Sequence, residues 1–286
     1  MQNAAFQVMR PARRTTSVVF ASPHSGCDYP RDFLSAIEVD EHQIRSSEDA
    51  FVDRLFAAAP LHGAPLIAAG VPRAYVDLNR SADELDPALI DGIRRTAHNP
   101  RVASGLGVIP RVVANGRPIY RGKISWAEAT ARIDGGWRPY HAMLQTLLDE
   151  SHADFGEAIL IDCHSMPHEA LEGASVFGGG RPDVVLGDRF GAAAAGSVVE
   201  RIEAAFAGAG LRVARNMPFA GAFVTQHYGR PSRRQHAVQI ELDRALYMDE
   251  RRIEPRADFD AFRALLAGVI AEIADIGRGE MRVAAE

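Results

Sequence analysis

The sequence predicts an α/β fold, a mostly parallel or mixed sheet covered by helices on both faces. Two observations carry this. Short apolar runs of strand length alternate along the chain with longer stretches of helical periodicity. Several of those runs also end in polar, turn-forming segments rich in His, Asp, Asn and Arg, and in such folds sites collect at the carboxyl ends of the strands. The 286 residues suffice for one large α/β domain, so a single domain over 1–286 is expected.

In chain order, Thr16–Ala21 reads as a first buried strand ending at Ser22-Pro23, with His24 in the loop that follows. Asp49–Ala59 carries Phe51, Val52, Leu55 and Phe56 at helical spacing, with Ser47 or Glu48 as a cap. Ala64–Ala69 and Ala74–Leu78 are strand candidates. Residues 81–123 are rich in Gly, Pro and Asp and read as a long loop excursion that covers something; that length is unusual unless it is functional. Glu128 to about His152 reads as a helix interrupted near Gly135-Gly136 and Pro139. Ala158–Asp162 is the next central strand, placing His164 in its terminal loop. Residues 173–181 read as flexible and Val184–Leu186 as strand-like. Ser197–Gly210 is an amphipathic helix closed by glycine. Ala222–Thr225 and Ala237–Leu242 read as strands, and Asp258 to about Ile276 as a final helix.

Composition excludes several function classes. Apolar residues make up 47% and charged residues 24%, with a net charge of −5, so no basic footprint for nucleic acid is expected. No run of about 18 apolar residues predicts a membrane span. The N-terminal arginines precede no apolar signal segment, and two cysteines, Cys27 and Cys163, do not make a disulfide framework. A cytoplasmic protein, monomeric or a small homo-oligomer, is the expectation.

Three segments carry the residue types of one metal site: Ser22-Pro-His24-Ser-Gly26, Ser47-Glu48-Asp49 and Ile161-Asp162-Cys-His164-Ser165. Two imidazoles and one carboxylate are a common Zn²⁺ ligand set with a position left open. Glu48 and Asp49 are adjacent, and this pattern leaves open which one binds; both could instead cap a helix. Asp162 lies two residues before His164, on the same face of an extended segment, where it can hold the ligand imidazole. Glu241 sits in the apolar run Val238–Leu242, where an unpaired carboxylate is costly, and alternates with Gln239. It is the candidate general base; the alternative is a structural glutamate paired with Arg244. Asn79 and Arg80, with Arg73 and Arg230, are candidates for holding the carboxylate of a small acidic substrate, although arginines are also common on solvated faces. Cys163 as a nucleophile beside His164 is disfavoured, because adjacent strand residues point apart.

These segments together resemble the N-formylglutamate amidohydrolase family. The likeness is carried by Ser22–Gly26, Tyr75-Val-Asp-Leu-Asn-Arg80, Trp137-Arg-Pro-Tyr-His141, Asp162–Ser165, Arg181–Gly187, His227-Tyr-Gly-Arg-Pro231, Gln239–Leu242 and Tyr247-Met248, in order, over about residues 17–250. The family is similar to zinc carboxypeptidases. The resemblance implies a three-layer α/β/α, phosphorylase/hydrolase-like (zinc-dependent exopeptidase-like) fold with a mixed central sheet and one Zn²⁺. It implies His24, His164 and Asp49 as ligands, with Glu48 still open because carboxypeptidase-like sites place a glutamate there. It further implies Glu241 as the catalytic glutamate and Asn79-Arg80 as the substrate-carboxylate grip. The implied reaction is cleavage of N-formyl-L-glutamate to formate and L-glutamate, a late step of histidine breakdown. The chain departs from the narrower histidine-pathway pattern at Ser165-Met166-Pro167, where Ser-Ile-Arg is usual. It departs again at Arg45-Ser-Ser-Glu48, where a Leu-Pro-x-Thr type is usual.

Overall fold

The computed structural model describes residues 4–93, 99–113, 116–172 and 179–278. Its centre is a seven-stranded sheet formed by β1 (Phe6–Met9), β2 (Val18–Ser22), β3 (Leu66–Ala69), β4 (Ala158–Met166), β5 (Val184–Gly187), β6 (Val213–Arg215) and β7 (Gln235–Asp243). The strand order is β1-β3-β2-β4-β7-β5-β6. β2, β4 and β7 run parallel, β5 is antiparallel to β7, and β6 is parallel to β5, so the sheet is mixed. Every residue of β2 and β4 is buried, as expected for strands covered on both faces. With the helices below, this is consistent with a three-layer α/β/α arrangement.

By internal contacts the chain forms two compact units. One comprises residues up to Gln7, Pro23–Ala50 and Ala68–Met143. It holds the short helices α1 (Arg31–Ala36) and α2 (Glu41–Arg45), and the 81–123 excursion with α4 (Pro100–Ala103). That excursion buries Leu89, Ile90, Val108, Ile109 and Ile119, and Arg111 Nε donates to the buried Asp86 at 2.8 Å. Its Gly/Pro-rich sequence thus conceals buried apolar side chains. α5 (Trp126–Arg132) starts at Ser125, whose hydroxyl accepts from Glu128 N at 3.1 Å. The expected interruption near Gly135-Gly136 is a π turn over Ile133–Trp137 that runs straight on into α6 (Arg138–Phe155); Pro139, at its second position, has no N–H to continue the ladder.

The other unit comprises Val8–Ser22, Phe51–Ile67 and residues from Leu144 onward. It contains α3 (Val52–Leu55), α7 (Gly196–Gly208), α8 (Phe223–Tyr228), α9 (Phe259–Ile276) and a small hairpin of β8 (Met248–Asp249) and β9 (Glu254–Pro255). α9 buries Leu266, Val269, Ile270 and Ile273, a one-sided stripe at helical spacing.

Four expected elements differ. Ala74–Leu78 is not a strand; it runs through turns with Val76 and Leu78 buried. Asn79 and Arg80 therefore close a buried turn. Ala222–Thr225 was expected as a strand from its β-forming residues, but Phe223–Tyr228 is helical. Its Phe223 and His227 rings stack at 4.9 Å, an i,i+4 contact that a short apolar run cannot announce. The helix expected over Asp49–Ala59 is only the single turn α3 and a 3₁₀ segment Ala59–His62. β4 does not end at Asp162: its register with β7 continues to the pair Met166↔Asp243. Backbone pairing with β7 overrides the polar look of Asp-Cys-His-Ser. Within the stretch expected to be flexible at 173–181, residues 173–178 lie outside the described residues.

Leu160 is fully buried in β4. Leu160→Ala is expected to cost about 2–5 kcal/mol, read as a lowered urea midpoint with the slope unchanged.

Candidate metal centre

His24 lies in the loop immediately after β2. The glycine at position 26 is dictated by closeness: a Cβ there would lie 2.1 Å from the Val71 carbonyl oxygen. The loop is tied to the Glu48-Asp49 segment by a backbone bond from Asp49 N to His24 O at 3.0 Å. That bond sets the His24 ring beside the Asp49 carboxylate, with Nδ1 3.4 Å from Oδ2. The opposite nitrogen, Nε2, is 2.7 Å from Asp77 Oδ1. Asp77 is buried and also accepts from Arg73 Nη2 at 3.0 Å and from Asn79 N at 2.8 Å. Burial pushes the Asp77 carboxyl upward, but the charges of His24 and Arg73 outweigh it and hold the group well below the usual carboxylate range.

The choice between Glu48 and Asp49 is decided by side-chain direction. Glu48 Oε1 accepts from Tyr29 Oη at 2.7 Å and from Arg45 Nε at 3.0 Å. Neither acid caps a helix: α3 begins after Phe51, with no side-chain cap. Phe51 has φ 67°, a left-handed conformation that costs a non-glycine residue and turns the chain sharply just after Asp49.

His164 sits within β4, and its Nε2 lies 3.0 Å from Asp162 Oδ2. A ring nitrogen of His24, one of His164 and a carboxylate oxygen of Asp49 all lie within 4.8 Å of one another, and all three residues are buried. Two imidazoles and a carboxylate form a borderline donor set suited to a divalent transition-type cation. Each ring also presses a nitrogen against a buried carboxylate, the support that metal-bound imidazoles typically have. On both counts the residues fit a metal ion.

Glu241 is the register partner of His164 across the parallel β4–β7 pair, so the two share a face of the sheet. Asp162 and Gln239 form the preceding pair on that face. Glu241 is 8% exposed, and its Oε1 accepts from Gln239 Nε2 at 2.8 Å. Arg244 directs Nε to Ser165 Oγ at 3.2 Å. Cys163 points to the other face, fully buried, and burial drives its thiol well above its usual range, a poor nucleophile. Neither Cys27 nor Cys163 is in a disulfide. His168 falls in a 3₁₀ turn, with Nδ1 on Asp243 Oδ2 at 2.7 Å.

Of the candidate anion-binding groups, Arg73 and Asn79 both bond to Asp77, and Arg80 lies close enough to feel its charge. Arg80 is buried; its Nε donates to Leu106 O and its Nη1 to Asn79 O, each at 3.0 Å. Trp137 Nε1 donates to Arg80 O at 2.8 Å and His141 Nε2 lies 2.9 Å from Leu78 O, so the Trp-Arg-Pro-Tyr-His string braces the Asn79-Arg80 turn. Arg73 is held by Asp77. Arg230 is exposed and its Nη1 donates to the Gln226 and Gly229 carbonyls at the end of α8, each at 2.9 Å. Sequence reasoning missed Asp77 as the partner of His24. The signal was present in the Tyr75–Arg80 string, which the strand expectation had turned into a mere lead-in to Asn79.

A mixed α/β sheet with a buried His₂–carboxylate cluster beside the end of its central strand defines a class of candidate metallohydrolases. Comparison with known proteins narrows the class. A family model of N-formylglutamate amidohydrolase matches residues 16–248. The N-formylglutamate deformylase of Pseudomonas aeruginosa is 32% identical over 281 residues, covering 95% of this chain and 98% of that protein. That of Pseudomonas putida is 32% identical over 243 residues, 82% of each. A crystal structure of N-formylglutamate amidohydrolase from Ralstonia eutropha JMP134 superposes with a TM-score of 0.89 at 35% identity, covering 96% of this chain and 99% of that one. The chain belongs to the N-formylglutamate amidohydrolase family, and that membership supports a hydrolytic, deformylase-like function. No helix among the described residues is long and apolar enough to cross a membrane.

Asp49→Ala is expected to abolish stoichiometric metal, while Glu48→Gln retains it, both read by elemental analysis of purified protein. Asp77→Asn is expected to weaken metal affinity about 10–100-fold, measured by competition with a chromophoric chelator.

Proposed function

We propose that this protein is a zinc-dependent deformylase acting as a single catalytic domain over residues 1–286, phosphorylase/hydrolase-like in fold. Its substrate is an N-formyl or N-acyl acidic amino acid, first among them N-formyl-L-glutamate, cleaved to formate and L-glutamate as a late step of histidine breakdown. The setting is the cytoplasm, and the protein is a monomer or small homo-oligomer. The observation that carries the reading is the buried cluster of His24, Asp49 and His164 with Glu241 in register beside His164, in a member of this family.

His24 and His164 would present one ring nitrogen each, and Asp49 one carboxylate oxygen, to a single Zn²⁺. When bound, the ion supplies Lewis acidity, lowering the pKa of a water molecule and polarising the substrate carbonyl. Asp77 and Asp162 orient the two imidazoles through the contacts at 2.7 and 3.0 Å. Glu241 takes a proton from water as the water oxygen bonds to the formyl carbon. The C–N bond then breaks, and Glu241 passes the proton to the departing amine. Asn79 and Arg80 hold a substrate carboxylate and align the scissile amide. Arg73 adds positive charge from its ion pair with Asp77, and Arg230 takes part only by leaving the α8 carbonyls.

Ser165-Met166-Pro167 favours a second reading within the same chemistry, a different N-acyl amino acid or an acidic peptide end. A panel of N-acyl amino acids ranked by kcat/KM separates the two. Release of the free amine by the metal-loaded protein tests the class, and its absence with every substrate of the panel would leave a mere binder of acidic ligands. Glu241→Gln is expected to retain metal and lose about 10²–10⁴-fold in kcat. Unaltered turnover in that variant would remove Glu241 from the role of base.

A further inference from the structure

Gln239 is used by none of the steps above, yet it is placed where the base must be controlled. It is 4% exposed in the centre of β7, flanked in register by Asp162 on β4 and Gly187 on β5. Its Nε2 donates to Glu241 Oε1 at 2.8 Å, and the assignment of the amide is dictated by chemistry, since only the NH₂ end can donate to a carboxylate. The other end, Oε1, is buried with no hydrogen-bond partner among the described residues. A buried amide oxygen left unsatisfied costs about 1–3 kcal/mol, so an apolar residue of the same size would serve packing better. On the β5 flank the Ala220–Gly221 backbone lies close over Gly187. A Cβ at Gly187 would lie 2.7 Å from both the Ala220 carbonyl carbon and the Gly221 nitrogen.

We infer that Gln239 is a positioning residue for the base: its amide fixes the plane of the Glu241 carboxylate beside His164, with the two groups held on one sheet face. This rests on the reading of Glu241 as the base. The side chain touches the base, not the substrate, so its loss is expected to fall on kcat and spare KM. A carboxylate on a flexible Glu side chain has several rotamers, and a donor two residues earlier on the same face selects one of them.

The test is a double-mutant cycle on the metal-loaded protein with Gln239→Met, Glu241→Gln and the pair, with metal content and thermal midpoint measured for each. Gln239→Met keeps the volume and removes the donor. The expected result is a fall of 10-fold or more in kcat, KM within 3-fold, full metal and an unchanged or raised midpoint, with no further loss when added to Glu241→Gln. Unchanged kcat in Gln239→Met overturns the inference. So does a loss that multiplies fully with that of Glu241→Gln, because Gln239 then acts elsewhere. A parallel loss of metal or of the folded state would assign it a structural role. Gln239→Leu provides a second variant of similar size that lacks the donor, and wild-type kcat in it also overturns the inference. Failure of the underlying reading looks different: Glu241→Gln itself would then turn over normally.

Discussion

In a sheet, a slip of one residue turns every side chain to the opposite face. The pairing of β4 with β7 is therefore the constraint on which the chemistry depends. Held in parallel register from Ala158↔Gln235 to Met166↔Asp243, it brings Asp162, His164, Gln239 and Glu241 onto one face, and it leaves Cys163, Ile240 and Leu242 to the other. Both strands are buried almost throughout, so the apolar residues of the second face hold the polar ones of the first in place. A polar quartet on a buried face is costly unless its members satisfy one another or a ligand. Two of its internal contacts are direct: Asp162 with His164, and Gln239 with Glu241.

The same economy governs the His24 loop. A buried carboxylate at Asp77 is tolerable because an imidazole, a guanidinium and a backbone N–H converge on it. The result is a histidine whose ring is fixed from behind before any ligand arrives. Loop His24–Gly26 can lie so close to Val71 only because residue 26 has no side chain. The segment of Glu48 and Asp49 divides its two acids by hydrogen bonding: Tyr29 and Arg45 take the first, and His24 is beside the second. Neighbouring acids thus have different surroundings. The braced turn at Leu78–Arg80 follows the same logic, with Trp137 and His141 spending their ring N–H groups on its carbonyls.

Much of the candidate site was legible because its chemistry is concentrated in unusual strings. His24, His164, Asp162 and Glu241 each stand out as polar groups at or in apolar runs, and period-two spacing places Asp162 with His164 and Gln239 with Glu241. What was illegible depended on partners distant in sequence. Asp77 was read as part of a strand, yet it is the acid behind His24, 53 residues away. Arg230 reads as an anion fork, and its Nη1 lies on the carbonyls that close the preceding helix α8. Phe223–Tyr228 has the residues of a strand and the hydrogen bonds of a helix, because intrinsic preference over six residues is weaker than the packing around them.

Local sequence determined the alternation of strands and helices, the donor types of the candidate metal cluster and the face each strand residue shows, since these follow from side-chain chemistry and backbone period alone. Only the tertiary structure decided that Asp49 and not Glu48 stands beside His24, that Asp77 and Asp162 back the two imidazoles, and that β4 runs on past His164. Those outcomes are set by hydrogen bonds between residues far apart along the chain, whose geometry no local pattern encodes.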